Sequence, residues 1–122
     1  MNDKDLEKKI KEEMEREIGE KGECSPAGLM MALGCLEKGA FEDWRRGRIS
    51  YLEKSIKLGP QKTLRLMAVM SAHAKKEGYK AKSIDDYILP GTDKRLRFSR
   101  TGNEVIEAQF ATVYIDKYWS AD

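Results

Sequence analysis

At 122 residues the chain has the length of one domain, and its 40% of hydrophobic residues is enough for a single core. No apolar run approaches the roughly 20 residues of a membrane-spanning helix, which argues against a membrane protein built from such helices. The first twenty residues alternate lysine and glutamate without the apolar stretch of a secretory signal. We therefore expect a cytoplasmic protein with no membrane partner.

The N-terminal segment predicts a charged amphipathic helix over residues 3–18. Its apolar residues recur every four positions among charges: Leu6, Ile10, Met14 and Ile18. This spacing gives one narrow apolar stripe on an otherwise solvated helix. We expect residues 1–22 to form a loosely docked helix on a single domain that spans residues 1–122.

A second helix is predicted to begin at Ser25 and Pro26, because serine caps free backbone N–H groups and proline fits the first helical position. The following residues are apolar on nearly every side as far as Gly39, so this helix should lie at the centre of the core. Cys24 and Cys35 form no C-x-x-C pair, and we interpret both as packing or surface thiols.

The middle of the chain predicts three more helices. A short one contains Phe41 and Trp44 and is followed by a bend at Gly47. The spacing of Ser50 and Glu53 is that of a capping box, which predicts a helix over residues 51–58. The strongest amphipathic pattern covers residues 61–77. It begins after Gly59 and Pro60 and stops at Gly78.

Turn-forming residues dominate positions 90–93, and they predict a β-hairpin over residues 87–99. In its second strand Leu96 and Phe98 share one face, which should pack on the helices. The capping-box spacing of Thr101 and Glu104 then predicts a last helix. Residues 112–115 are rich in β-branched and aromatic residues, so a strand is the alternative there, although we favour helix.

These elements together predict a mainly α fold of the α+β class, a compact multi-helix domain with one small C-terminal β-hairpin. Helices followed by a basic hairpin resemble a winged helix-turn-helix, in which one helix enters the major groove and the wing contacts the DNA backbone.

Catalytic chemistry finds little support in the sequence. His73 is the one histidine, and we expect it at the surface or half-buried near the end of its helix. A structural zinc site lacks its usual ligands, and no cofactor, metal or small-molecule substrate is evident. The strongest enzymatic alternative is a metal-dependent nuclease, which would use the polar residues around the predicted turn: Asp85, Asp86, Asp93 and Lys94.

Charge is distributed unevenly along the chain although the net charge is only +2. Residues 44–82 contain 11 lysines and arginines against 2 acidic residues, whereas residues 1–23 contain 6 against 9. A basic block of this kind either binds a polyanion or pairs with the acidic ends of the same chain. Both possibilities are open from the sequence.

We favour a non-enzymatic accessory or regulatory protein that binds DNA or RNA, because the arginine fork matches phosphate geometry. The expected phosphate contacts lie in the central block: Arg45, Arg46, Arg48, Lys62 and Arg65. Arg95 and Arg97 are the expected wing contacts. The alternative is a protein-interaction module for an acidic partner, anchored by Trp44, Tyr51 and exposed methionines.

Two stretches, FEDWRRGRISYLE at residues 41–53 and RLRFSRTG at residues 95–102, resemble segments of a family of small prokaryotic proteins of unknown function. Together with their surroundings they cover about half of the chain. The resemblance implies no activity.

Overall fold

The computed structural model describes residues 2–118 and confirms the mainly helical α+β class. Its elements in chain order are α1 (Asp3–Lys21), β1 (Glu23–Cys24), α2 (Pro26–Ala32), α3 (Lys38–Arg45), a single 3₁₀ turn (Leu52–Ser55), α4 (Pro60–Glu77), β2 (Lys80–Ser83), α5 (Glu104–Phe110) and β3 (Thr112–Ile115). No helix among the described residues is both long enough and apolar enough to cross a bilayer.

The α1 helix is part of the core. Its four stripe residues, Leu6, Ile10, Met14 and Ile18, are at most 3% exposed. Two side-chain contacts cross to α4. Arg65 meets Glu7 at 3.3 Å and His73 meets Glu15 at 3.0 Å, and both pairs join positions 58 apart. Moving eight residues towards the C-terminus of α1 therefore corresponds to moving eight residues in the same direction along α4, so the two helices run parallel. The apolar stripe of α1 is thus buried in the core, and the loose docking of this helix stays a prediction.

The α2 helix begins as predicted, with the Ser25 hydroxyl accepting a hydrogen bond from the Gly28 N–H at 3.1 Å. It ends at Ala32 rather than near Gly39, because Gly34 takes a left-handed conformation with a φ of 79°. Its side chains nevertheless fill the centre of the core. Leu29 and Met30 are fully buried.

Gly47 follows α3 and supplies the predicted bend with a φ of 79°. A Cβ atom at this position would lie 2.4 Å from Leu89 Cδ1, so the chain reversal brings α3 against the residue 87–99 segment. The predicted helix over residues 51–58 is wrong. Only one 3₁₀ turn forms, because the Glu53 carboxylate accepts a hydrogen bond from the distant Arg100 N–H at 3.0 Å and does not complete a capping box.

The α4 helix begins at Pro60 and is capped by Gly78, as predicted. His73 differs from its expected position, since it is only 4% exposed in the contact with α1. The Tyr79 ring packs edge-on at 6.1 Å from the imidazole.

The sheet is antiparallel with the strand order β1-β3-β2, and it joins three segments that are distant in sequence. The central strand β3 corrects our preference for helix at residues 112–115 and matches the strand alternative. It is held on one side by Cys24 opposite Tyr114 and on the other by Ala81 opposite the same tyrosine. This sheet is a different structure from the predicted hairpin.

The chain does reverse at residues 90–93, but the residue 87–99 segment contains only one isolated bridge, between Ile88 and Arg95. The predicted second strand is therefore absent. Phe98 is buried as predicted and Leu96 is half-buried against the core. The α5 helix is capped by Asn103, whose side chain accepts from the Val105 and Ile106 N–H groups, and not by Thr101.

Glu17 is a buried carboxyl on α1, 4% exposed and 3.6 Å from the Cys24 thiol. Its burial raises its pKa, an effect only partly opposed by Lys21 at 3.6 Å. The folded protein therefore holds this proton to a higher pH than the unfolded chain does, and stability falls as pH rises through that interval. We expect Glu17→Gln to raise Tm by about 2–4 °C at pH 7 and by nothing at pH 4.

Thermal unfolding followed by circular dichroism at the two pH values tests this. Glu20→Gln is the control, because Glu20 is exposed on the same helix. If Glu17→Gln instead had a lower Tm than the wild type at pH 7 but not at pH 4, the ionised carboxylate would be shown to stabilise the fold.

Candidate nucleic-acid interface

Two segments that are distant in sequence, residues 44–55 and 94–100, lie side by side, and we call their joint surface the basic face. The N–H of Leu52 donates to the Arg97 carbonyl at 3.2 Å, and the N–H of Glu53 donates to the Phe98 carbonyl at 2.8 Å. The Trp44 indole N–H also donates to the Arg97 carbonyl, at 2.7 Å. These bonds fix the two segments in one register.

The basic face carries eight cationic side chains and one carboxylate, that of Glu53. The cations are Arg45, Arg46, Arg48, Lys54, Lys94, Arg95, Arg97 and Arg100. Five of the seven predicted site residues are among them. Asp43 and Asp85, just outside the two segments, also contact Arg48 and Arg95, so the eight cations have three neighbouring carboxylates and the net charge of the face is positive.

An aromatic cluster beneath the basic face explains why the two segments meet. Trp44 is fully buried, and its ring lies 4.8 Å from that of Phe98 and 5.4 Å from that of Tyr87. Phe98 also stacks on Phe110 of α5 at 5.2 Å. Burial of these large rings is the main force that holds α3, the residue 87–99 segment and α5 together.

Glu107 of α5 supports the face from inside. Its carboxylate accepts hydrogen bonds from the backbone N–H groups of Phe98 at 2.9 Å and Ser99 at 2.7 Å. The Ser99 hydroxyl in turn accepts from the Gly102 N–H at 2.9 Å. Sequence reasoning missed this role, because no local pattern marks a glutamate that bonds to backbone eight and nine residues away.

Two arginines of the basic face lie over tyrosine rings. The Arg45 guanidinium is 4.9 Å from the Tyr87 ring centre and donates to the Asp86 carbonyl at 3.0 Å. The Arg97 guanidinium is 5.4 Å from the Tyr51 ring centre and donates to the Ser99 carbonyl at 2.8 Å. Both guanidinium groups are thus oriented before any ligand arrives.

The other predicted arginines of the face are more accessible. Within the described part of the chain, the Arg46 side chain is exposed and makes no ion pair. Arg48 pairs with Asp43 at 3.2 Å while 64% exposed, and Arg95 approaches Asp85 at 3.9 Å while 77% exposed. Exposed pairs of this kind contribute about 0–1 kcal/mol, so a phosphate can replace the carboxylate at little cost.

Lys62 and Arg65 do not belong to the basic face. Arg65 pairs with Glu7 across the contact of α4 with α1. Lys62 lies half-buried in the first turn of α4, beside Leu58 and Pro60. Their expected role alongside Arg45 is therefore not supported by their positions, because their contacts place them on α4 and its flanking loop.

A cavity of about 410 Å³ borders the face next to Arg95. Three acidic residues line it, Asp85, Glu104 and Glu107, which makes it unsuitable for phosphate and sets one limit of the basic face. Among residues 2–118, the carboxylate oxygens of Asp85, Asp86 and Asp93, which the nuclease alternative would use, do not all lie within 4.8 Å of one another.

No protein-family model, curated protein or solved structure matches this chain. The resemblance of residues 41–53 and 95–102 to small prokaryotic proteins therefore stays a prediction. These two stretches contain most of the basic face. They are also the segments whose backbones form hydrogen bonds with each other.

Proposed function

We propose that the protein binds nucleic acid through the basic face and acts as an accessory or regulatory protein without catalysing a reaction. The supporting observation is the pairing of residues 44–55 with residues 94–100, which brings two segments with eight cations together beside only three carboxylates, those of Glu53, Asp43 and Asp85. Such a density of positive charge suits a polymer with one phosphate per nucleotide better than it suits a single small anion.

The exposed arginines of the basic face and the arginines that lie over tyrosine rings have different roles in this proposal. Arg46, Arg48 and Arg95 are exposed enough to offer their forks of N–H donors to backbone phosphates. Arg45 and Arg97, held over Tyr87 and Tyr51, present oriented guanidinium planes on which unpaired bases can stack. The face therefore suits a phosphate backbone, and single-stranded regions add stacking.

The winged-helix hypothesis enters the proposal in a modified form. The residue 87–99 segment is a loop with one bridge, braced where Leu89 meets Gly47. Arg95 projects from this loop and is 77% exposed at its side chain. It can therefore contact a backbone phosphate beside those bound by Arg46 and Arg48, as a wing residue would.

The rival hypothesis of a protein-interaction module is weakened by the positions of its anchors. Trp44 is fully buried and cannot reach a partner's surface. Tyr51 is covered by Arg97. Of the methionines in residues 2–118, only Met31 is not buried.

The test is the salt dependence of binding by the wild type and by the double variant Arg46→Ala with Arg48→Ala. Each phosphate contact contributes about 0.9 to the slope of log affinity against log salt on duplex DNA, so we expect the slope to fall by about 1.8. Adding Arg95→Ala, which removes the third exposed arginine, should lower it by about 0.9 more. Fluorescence anisotropy with labelled duplex DNA and single-stranded RNA measures both affinities.

Lys8→Ala with Lys9→Ala is the matched control, because it removes two exposed cations from α1. Its slope should equal that of the wild type, and all variants should keep their Tm within about 2 °C. A wild type that binds neither probe at low salt would contradict the proposal. An unchanged slope in a folded double variant would contradict this site.

A further inference from the structure

His73 belongs to a group of potential metal-ligand atoms that is not part of the basic face. Its Nε2 atom is 3.0 Å from Glu15 Oε1 on α1, and Glu77 follows one helical turn later on α4. One potential ligand atom from each of these three residues lies within 4.8 Å of the other two. Among residues 2–118, this is the one group of three or more histidine, cysteine or acidic residues arranged in this way.

The surroundings of this group are rich in negative charge. The pKa of Tyr79 is raised by burial and by the nearby carboxylates of Glu15, Glu77 and Asp116. Within the described residues none of these three carboxylates forms an ion pair with lysine or arginine. Lys11 and Lys76 line the same surface depression as His73, and Lys11 pairs with Glu7 rather than with Glu15. The three carboxylates are therefore not held in ion pairs with lysine or arginine within the described residues, although Lys76 lies nearby.

The imidazole itself has an unused coordination capacity. His73 is only 4% exposed, and its Nδ1 atom has no hydrogen-bond partner among the described residues. In the neutral ring one nitrogen carries the hydrogen and the other keeps a lone pair. The nitrogen that faces Glu15 is Nε2, and it can bind an ion when Nδ1 carries the ring hydrogen.

We propose that Glu15, His73 and Glu77 bind a first-row divalent metal ion, with Zn²⁺ the best match, and so join α1 to α4. One neutral imidazole and two carboxylates supply two negative charges to a dication, and mixed nitrogen and oxygen donors suit zinc better than magnesium. Three protein ligands leave a fourth tetrahedral position for water. No local sequence pattern marks this site, because Glu15 and His73 are 58 positions apart.

The distances permit this site after a small adjustment. Tetrahedral coordination with bonds of about 2.0–2.1 Å places ligand atoms about 3.3 Å apart. The contact of His73 with Glu15 already has that separation, at 3.0 Å. Glu77 needs to approach by at most about 1.5 Å, which a side-chain rotation provides. Metal binding is not required for folding, since the core is built from apolar side chains, but it would restrain the two helices at this end.

The test uses the full chain after treatment with a chelator and dialysis. Zn²⁺ at about a hundred times its Kd should raise Tm by about 8 °C, and Mg²⁺ at the same concentration should raise it far less. Glu77→Gln should weaken Zn²⁺ binding at least about tenfold in calorimetric titration. Glu12→Gln, which removes an exposed carboxylate from α1, should leave the affinity unchanged.

The absorption spectrum of the Co²⁺-loaded protein identifies the donor atoms. We expect visible bands of a nitrogen and oxygen site without thiolate charge-transfer absorption. Thiolate absorption would place the ion at Cys24 or Cys35 and overturn the proposal. Equal Zn²⁺ affinity in Glu77→Gln and the wild type, or no change in the wild-type Tm with Zn²⁺, would overturn it as well.

Discussion

Replacing Phe98 with alanine is expected to lower the free energy of unfolding by about 3–4 kcal/mol. The ring is 3% exposed and lies between Trp44, at 4.8 Å, and Phe110, at 5.2 Å. Removing it leaves a cavity where α3, the residue 87–99 segment and α5 meet, and two flanking rings lose their packing partner. Urea unfolding followed by tryptophan fluorescence and circular dichroism measures the change.

Two further variants make the Phe98 measurement specific. Phe98→Leu keeps most of the apolar volume and should lose about half as much stability. Val105→Ala truncates a side chain that is 68% exposed and should change stability by less than about 0.5 kcal/mol. A loss below about 1 kcal/mol for Phe98→Ala would mean that the aromatic cluster does not form as described.

Replacing Glu107 with alanine is expected to cost about 2–3 kcal/mol of stability. The carboxylate accepts two charge-assisted hydrogen bonds, from the N–H groups of Phe98 and Ser99, and both residues are at most 3% exposed. Without it two donors remain in the interior without a partner. The same urea titration measures this loss.

Glu107→Gln separates hydrogen bonding from packing. Glutamine keeps one acceptor oxygen in a side chain of the same length, so we expect about half of the loss seen with alanine. Glu104→Gln, at an exposed position of the same helix, should be neutral. Equal stability of Glu107→Ala and the wild type would contradict the supporting role of this carboxylate. Weaker nucleic-acid binding in Glu107→Gln would further link this support to the basic face.

Helix ends with a local cause were predictable from sequence. Ser25 with Pro26, Gly59 with Pro60, and Gly78 each act on backbone groups within a few residues. Their effects need no knowledge of the rest of the chain. The structure places helix ends at all three.

Neither predicted capping box forms: the first loses its glutamate to a tertiary contact, and in the second a neighbouring residue caps the helix. Glu53 bonds to the Arg100 N–H, 47 residues away, and leaves a 3₁₀ turn where a helix was expected. In the second case Asn103 caps α5 in place of Thr101. A spacing pattern identifies residues that are able to cap, but it does not show what else competes for them.

The sheet was not predictable for a related reason. The β2 strand has the sequence KAKS, which contains no large apolar residue, and it is exposed throughout. Its strand conformation comes from pairing with β3, whose β-branched residues did suggest a strand. Strands that depend on a partner carry little signal of their own.

The arginines of the candidate site were visible in the charge distribution, but their grouping was not. Composition cannot show that Arg65 turns to Glu7 on α1 whereas Arg95 joins the surface that contains Arg46. That division depends on contacts between residues far apart in sequence. The same limitation hid the approach of Glu15 to His73.

The lysines of β2 also bear on how copies of this protein behave toward one another. This strand has β3 on one side only, so within the described residues its other edge presents unpaired backbone groups. Such an edge can recruit the same strand from another molecule and start aggregation. Here Lys80 and Lys82 would face the lysines of the arriving copy, and like charges opposite each other oppose pairing. The residues that carry the weakest strand signal thus disfavour pairing with another copy at this edge of the sheet.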